Sequence, residues 1–412
     1  MKELHYENLI HMTLTETLTR ALDLDEQGEI AQAVACLEEI KADIPDQPAY
    51  QKLVGMLYQR LGEDTESLPF LTRAAALNPE DAELQLALGF HHLDNAGLEE
   101  ALVYFQETLR LAPNHQTAQM YLGRVYDFLG DLESAEKALI RAMMLGAEDL
   151  EPHIQLGRVF IRAGKLDQAE VKFRQIEDMS PGHVMAEIGA KRVAALKAGD
   201  VATAGLKKRA PATVVCVKQG TKYGPEYVNR LAAMVRRNSS LDPDFVCFTE
   251  DATGLDDGIR HLLLPDPDYQ GWWNKVSLYR DDLVGVGKRM LYFDLDVVLT
   301  DSIDPLLTYD SDFAIMDNDY VPGFNTSVFL LKTGSRPEIR DAFNAEMATK
   351  YDGDQDWVAV MAPDGELWPA GWCVPFRLRA AQAPPENCKA VVFSGRPNPE
   401  DYPADWVREL WG

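Results

Sequence analysis

The stretch LYFDLDVVLTD, residues 291–301, sets two aspartates one residue apart inside an apolar run. Leu291, Tyr292 and Phe293 lead in, and Val297, Val298 and Leu299 lead out. Such β-branched and aromatic company predicts a single strand over RMLYFDLDVVL, 289–299. Residues i and i+2 of a strand share a face, so Asp294 and Asp296 would aim into one site. Charged side chains are rarely buried without a partner, and something must compensate this pair. Two carboxylates with no Cys or His beside them suit a hard divalent cation, Mg²⁺ or Mn²⁺. A structural pair held by backbone N–H groups or arginines is the plainer alternative.

Around this stretch the pattern is strand and helix in turn. TVVCVKQ (213–219), DFVCFTE (244–250) and IRHLLLP (259–265) read as strands. YGPEYVNRLAAMVRRN (223–238) and NKVSLYRDDLV (274–284) read as helices. Alternation at this spacing predicts a mostly parallel sheet with helices on both faces. Ligands of such sheets sit at the carboxyl ends of strands, and the two aspartates lie towards the far end of theirs.

The first half has another period. Gly55, Gly89, Gly123 and Gly157 are 34 residues apart, and so are Tyr58, His92, Tyr126 and Phe160. Ala101, Ala135 and Ala169 keep the interval, with Ala33 and Ser67 in register. Pro45, Pro79, Pro113 and Pro181 close the units, with Ala147 at the remaining place. This is the pattern of the tetratricopeptide repeat. Small residues let paired helices approach, and Leu37, Leu71, Phe105, Leu139 and Phe173 fill the seams. Five units are expected between about 14 and 183, with 184–207 as a capping helix pair. The domains expected are 1–207, an all-α solenoid, and 208–412, an α/β domain. The solenoid's groove would hold a protein, a peptide or a second copy of the chain; a plain spacer is the bland alternative.

The chain of 412 residues carries a formal charge of −26. Both halves are acidic, with 18 basic against 34 acidic residues in 1–200 and 22 against 32 in 201–412. Nucleic acid is therefore an unexpected partner, because phosphate contacts need a basic face. No apolar run has the length of a membrane span, and the first twenty residues lack the layout of a signal peptide. The five cysteines form no CxxC pair, which fits a reducing compartment. A cytoplasmic protein is expected.

Several stretches of the second half, about 212–398, resemble the GT-A fold glycosyltransferases in order. They are most similar to family 8, which includes glycogenin and bacterial galactosyltransferases. RMLYFDLDVVLTDSIDPLL resembles that family's D-x-D strand. VVCVKQGTKYGPEYVNRLAAMVRRN is similar to its first strand, nucleotide loop and helix. WWNKVSLYR resembles its lysine segment, GFNTSVFLLKTG its F-N-S/A-G-V strand and YDGDQDWVAV its G-D-Q segment. The resemblance implies a nucleotide-diphospho-sugar transferase fold, Rossmann-like, with a UDP-sugar donor and retention of configuration. It implies Val217 and Tyr223 on the uridine, Lys218 near the phosphates, and Asn274 and Lys275 by the donor. Asp294, Leu295 and Asp296 would line the donor site, the two aspartates holding Mn²⁺ or Mg²⁺. Asn325 would stand by the sugar, and Asp354 and Gln355 on the acceptor side. The repeats would then recruit a protein, peptide or glycan acceptor, or build a homodimer.

The resemblance breaks at one place. Family 8 draws a third metal ligand, a histidine, from a late segment, and its match here is VVFSGRPNP, 391–399. The last histidine of the chain is His261, well upstream. Arg396 could replace lost positive charge but cannot ligate metal. The alternative reading is therefore a non-catalytic sugar-nucleotide-binding scaffold. Trp272, Trp273, Asp317 and Asp319 are further candidates, each divided between lining the site and packing or solvating a loop.

Overall fold

The computed structural model describes residues 2–199, 211–395, 397–402 and 404–412, with side chains from residue 14 onward. Packing divides the chain into two compact units, Met1–Leu129 and Gly130–Gly412.

The first unit is helical throughout: α1 (Lys2–Glu26), α2 (Ile30–Ile40), α3 (Pro48–Arg60), α4 (Asp64–Leu77), α5 (Ala82–Asp94), α6 (Leu98–Leu111) and α7 (Gln116–Leu129). The 34-residue period has a direct steric cause. A Cβ added at Gly55 on α3 would stand 2.8 Å from Leu71 of α4, and one at Gly89 on α5 would stand 2.6 Å from Phe105 of α6. Leu71 and Phe105 are fully buried. The large residues thus fill the space vacated by a glycine within their own helix pair. A polar bond recurs with the same period: Gln51 donates to the Pro45 carbonyl at 3.0 Å, and Gln85 to that of Pro79 at 3.1 Å.

The second unit opens with α8 (Leu132–Leu145), α9 (Leu150–Arg162), α10 (Leu166–Met179) and α11 (Val184–Ala198). Phe173 of α10 packs where a Cβ at Gly157 would stand 2.6 Å away and one at Gly189 of α11 only 2.2 Å away. Of the expected capping pair one helix is described, α11; residues 200–207, and with them the expected boundary at 207/208, lie outside the described residues. The helix α11 does more than cap. Its Ile188 belongs to one apolar core with Val215, Val246, Tyr292, Phe324 and Val358. Its buried Arg192 donates to the carbonyls of Pro363 at 2.7 Å and Gly365 at 2.9 Å and lies over the Phe324 ring.

The rest of this unit runs β1 (Thr213–Lys218), α12 (Pro225–Arg237), β2 (Phe245–Thr249), β3 (Arg260–Leu262), a 3₁₀ helix (Gly271–Tyr279), β4 (Arg289–Phe293), β5 (Val297–Leu299), α13 (Asp304–Leu307), β6 (Phe313–Asp317) and β7 (Phe324–Lys332). Then follow α14 (Pro337–Asp341), α15 (Ala345–Lys350), α16 (Asp354–Met361), β8 (Glu366–Leu367), β9 (Cys373–Pro375) and β10 (Ala390–Val392). Seven strands form a sheet in the order β3-β2-β1-β4-β7-β6-β8, and three form a smaller one, β5-β10-β9. Strand β7 runs antiparallel to both neighbours, so the sheet is mixed rather than mostly parallel. The predicted helix over 274–284 is instead the 3₁₀ helix, which ends at Tyr279 with Arg280 already extended.

The run around the aspartates is corrected most. It is two strands in two sheets: β4 pairs with β1 and β7, whereas β5 pairs with β10. Asp294, Leu295 and Asp296 form the crossing between them. Its ends are fastened by Asp294 N donating to the Ser327 carbonyl at 2.9 Å and Phe393 N donating to the Asp296 carbonyl at 3.1 Å. A continuous greasy strand with central charges would have been costly to bury. The chain avoids this by leaving one sheet at the first aspartate and joining the other after the second.

Candidate functional site

The carboxyl ends of the parallel neighbours β1 and β4 open, beside the amino end of β7, onto a cavity of about 490 Å³. Each of these elements brings side chains to its wall. Val217 comes from β1; Tyr223 from the turn after it; Lys275 from the 3₁₀ helix; Asp294, Leu295 and Asp296 from the crossing; Asn325 from β7; Asp354 and Gln355 from the start of α16. These are nine of the residues the sequence singles out, drawn from positions 217 to 355 into one space.

Two other candidates do not line it. Lys218 is buried and follows Val217 on a strand, where alternate residues face opposite ways. With Val217 towards the cavity, Lys218 points elsewhere. Besides Lys275, a second cation at the wall is Lys222, whose ammonium lies 4.6 Å from the centre of the Tyr223 ring and whose charge favours the ionised form of Asp296. Asn274 is wholly buried. Its amide donates to Gln219 Oε1 and to the Tyr269 carbonyl, so it braces Gln219, which does line the cavity.

The compensation demanded by the two aspartates is specific. Asp294 accepts from the Tyr292 hydroxyl at 2.8 Å and from the Lys275 ammonium at 2.9 Å, one bond on each oxygen. Asp296 accepts from the Tyr223 hydroxyl at 2.8 Å. Burial, and then the neighbouring charge of Asp294, push the Asp296 pKa up to about 6. Burial also raises Asp354, against the pull of Lys275 at 3.7 Å. Burial disfavours the Lys275 charge, but Asp294 and Asp354 outweigh it and its pKa is raised. The Tyr223 phenol is raised by burial and by Asp296, so it stays a donor at neutral pH.

Among the described residues no group of three or more His, Cys, Asp or Glu gathers around a metal position. The carboxylate oxygens of Asp294 and Asp296 are the kind of donors that would fit a hard cation whose other ligands came from solvent or a bound anion. At the place of the family's late histidine stands Val392, which lines a second, smaller cavity, while the following Phe393 and Ser394 line this one. Arg396 lies outside the described residues.

Asn325, Gln355 and Ser394 are shared with a second cavity of about 260 Å³, which Asp317, Asn318, Asp319, Tyr320, Phe376 and Arg377 help to line. Two residues of α9 reach this loop: Gln155 donates to the Tyr320 carbonyl at 2.7 Å and Arg158 to that of Asn318 at 3.2 Å. Of the two adjacent tryptophans, Trp273 packs on Phe343 with ring centres 4.7 Å apart, whereas Trp272 is 56% exposed at the wall of the larger cavity. Gln219, Lys222, Tyr292, Thr326 and Ser327 also line that cavity and are missed by the sequence reading. Thr326 and Ser327 directly follow Asn325, which was the available signal.

Tetratricopeptide-repeat family models match residues 18–82 and 94–156. The N-terminal half is a tetratricopeptide-repeat solenoid followed by a region with a mixed sheet. No curated protein matches the chain. Solved structures similar to it include the MamA protein, at 20% identity over 40% of this chain and 91% of that one, with a TM-score of 0.37. Others are pilF of Pseudomonas aeruginosa, at 14% over 46% and 86% with a TM-score of 0.39, and YrrB, a TPR protein with an unusual peptide-binding site, at 25% over 40% and 83% with a TM-score of 0.34. Among the described residues no helix is long and apolar enough to cross a membrane.

Proposed function

We propose that the second half is a GT-A type glycosyltransferase similar to family 8, metal-dependent and using a UDP-sugar. Its repeats would recruit a protein, peptide or glycan acceptor or pair two chains. The observation that carries this reading is the convergence of Val217, Tyr223, Lys275, Asp294, Asp296, Asn325 and Asp354 on one cavity at the ends of β1 and β4. A ligand at strand ends beside a change in sheet direction is where open α/β sheets bind.

Asp294 and Asp296 would hold Mn²⁺ or Mg²⁺, which when bound supplies Lewis-acid stabilisation of a departing diphosphate. Lys275 and Lys222 place positive charge at the same wall, where water is partly excluded and charge acts strongly. Asn325 and Gln355 border both cavities, so they stand where a donor sugar in the larger meets an acceptor in the smaller. Held together there, the reacting groups would gain the advantage of proximity. Asp354, buried beside Lys275, would orient the sugar or the acceptor hydroxyl.

Isothermal titration with UDP, with and without Mn²⁺, tests this on wild type and Asp296→Ala, followed by hydrolysis of a UDP-sugar panel. Mn²⁺-dependent UDP binding lost in Asp296→Ala, with release of UDP from one donor, is the expected result. Absence of UDP binding would refute the donor site. A sugar-nucleotide-binding scaffold is the second reading, favoured by Val392, a residue that cannot ligate metal, at the place three before Gly395 where a third metal ligand was sought. Binding without turnover of any donor would select it.

A further inference from the structure

Lys275 stands between two carboxylates and serves them unequally. Its ammonium donates to Asp294 Oδ2 at 2.9 Å and to Thr326 Oγ1 at 3.4 Å. It lies 3.7 Å from Asp354 Oδ2, a buried oxygen that has no hydrogen-bond partner among the described residues. A shift of roughly 1 Å would bring it within bonding range of that oxygen. Meanwhile the other oxygen of Asp294 is taken by Tyr292. In the free protein Asp294 is therefore fully engaged by its own neighbours, while Asp296 is engaged on one oxygen, by Tyr223.

Resting on the donor-site reading, we infer that Lys275 is a displaceable internal cation. It occupies Asp294 in the free protein and passes its hydrogen bond to Asp354 when a divalent cation and a nucleoside diphosphate enter together. A divalent cation alone meets a carboxylate already paired to an ammonium, and the two like charges repel in a poorly solvated site. The diphosphate brings oxygen ligands and negative charge beside Lys275, and Asp354 offers the ammonium a place to go. Binding of cation and nucleotide is thereby coupled, each strengthening the other by the same factor.

Mn²⁺ binding read from the electron paramagnetic resonance signal of the free ion tests this on the full chain, with and without UDP. Wild type should bind Mn²⁺ weakly alone and at least tenfold more tightly with UDP. Lys275→Met should bind Mn²⁺ alone at least tenfold more tightly than wild type. Asp354→Asn should weaken Mn²⁺ binding in the presence of UDP, although Asp354 is not a ligand. Mn²⁺ alone binding folded Lys275→Met no better than wild type overturns the inference. Should Lys275→Met fail to fold, wild type binding Mn²⁺ equally with and without UDP, or Asp354→Asn matching wild type with UDP, does the same. Failure of the donor-site reading looks different: Mn²⁺ with UDP then does not bind wild type, or binds Asp296→Ala equally well.

Discussion

Replacing Arg192 by methionine tests whether the last solenoid helix is part of the sheet domain's stability. Met preserves much of the aliphatic length and removes the guanidinium. The buried Gly365 carbonyl loses its 2.9 Å donor, and the half-buried Pro363 carbonyl loses one at 2.7 Å. Stranding a buried acceptor costs roughly 1–3 kcal/mol, and the half-exposed one costs about 1. The contact over Phe324 adds about 1 kcal/mol in a desolvated setting. Burial lowers the Arg192 pKa, so removing the charge returns part of its desolvation cost. The net expectation is a loss of about 3 kcal/mol, or about 1 M in the urea midpoint at an m of roughly 3 kcal/mol/M. All seven tryptophans lie between residues 272 and 411, so tryptophan fluorescence follows the sheet region alone. Arg192→Met, in a helix without tryptophan, should move that fluorescence transition. A stability loss of less than about 0.5 kcal/mol, the scatter of neutral surface changes, would refute the reasoning.

Gly189→Ala sets a methyl 2.2 Å from Phe173, so overpacking should destabilise by about 1–3 kcal/mol in thermal melts followed by circular dichroism, and adding Phe173→Leu should recover part of the loss. Burial, and then Asp352, raise Asp356 to about 6 in the folded chain, above its ordinary 3.8. The folded state therefore holds this proton more tightly, and the group's contribution to stability falls as pH rises from about 4 to 6. Asp356→Asn should gain on wild type by roughly 1–3 kcal/mol across that window and keep the gain at pH 7, a difference absent at pH 3.5. Trp272→Phe should leave the unfolding free energy in urea within about 0.5 kcal/mol of wild type, because the ring is half exposed, and should abolish any fluorescence change that a UDP-sugar causes.

The solenoid was legible because its cause is local and repeated. A glycine and a bulky residue sixteen positions later recur at one period, and the close approach of two helices needs that pairing at each repeat. The strands β1 and β2 and the helix α12 were equally plain from period and turn residues. Asp294 and Asp296 were also found, since two charges in an apolar run stand out wherever they fall. Misplacing Lys218 was avoidable: a two-residue period that brings Val217 to the cavity turns its neighbour away. Other features had no local signal. The apolar residues before and after the aspartates look alike, so nothing nearby says that β4 and β5 join different sheets. That choice belongs to Val391 and Val392, which pair with Val298 and Val297 from the far end of the chain. Lys275 was placed by the donor through the family resemblance alone; its partners Asp294 and Asp354, 19 and 79 positions away, leave no local signal. Arg192 shows the same limit, with carbonyl partners 171 and 173 residues distant. The sequence by itself determined periodic elements and the residue types able to do chemistry. Only the tertiary structure decided which charges neutralise one another, because Coulomb and hydrogen-bond energies depend on separation in space, and separation along the chain does not set it.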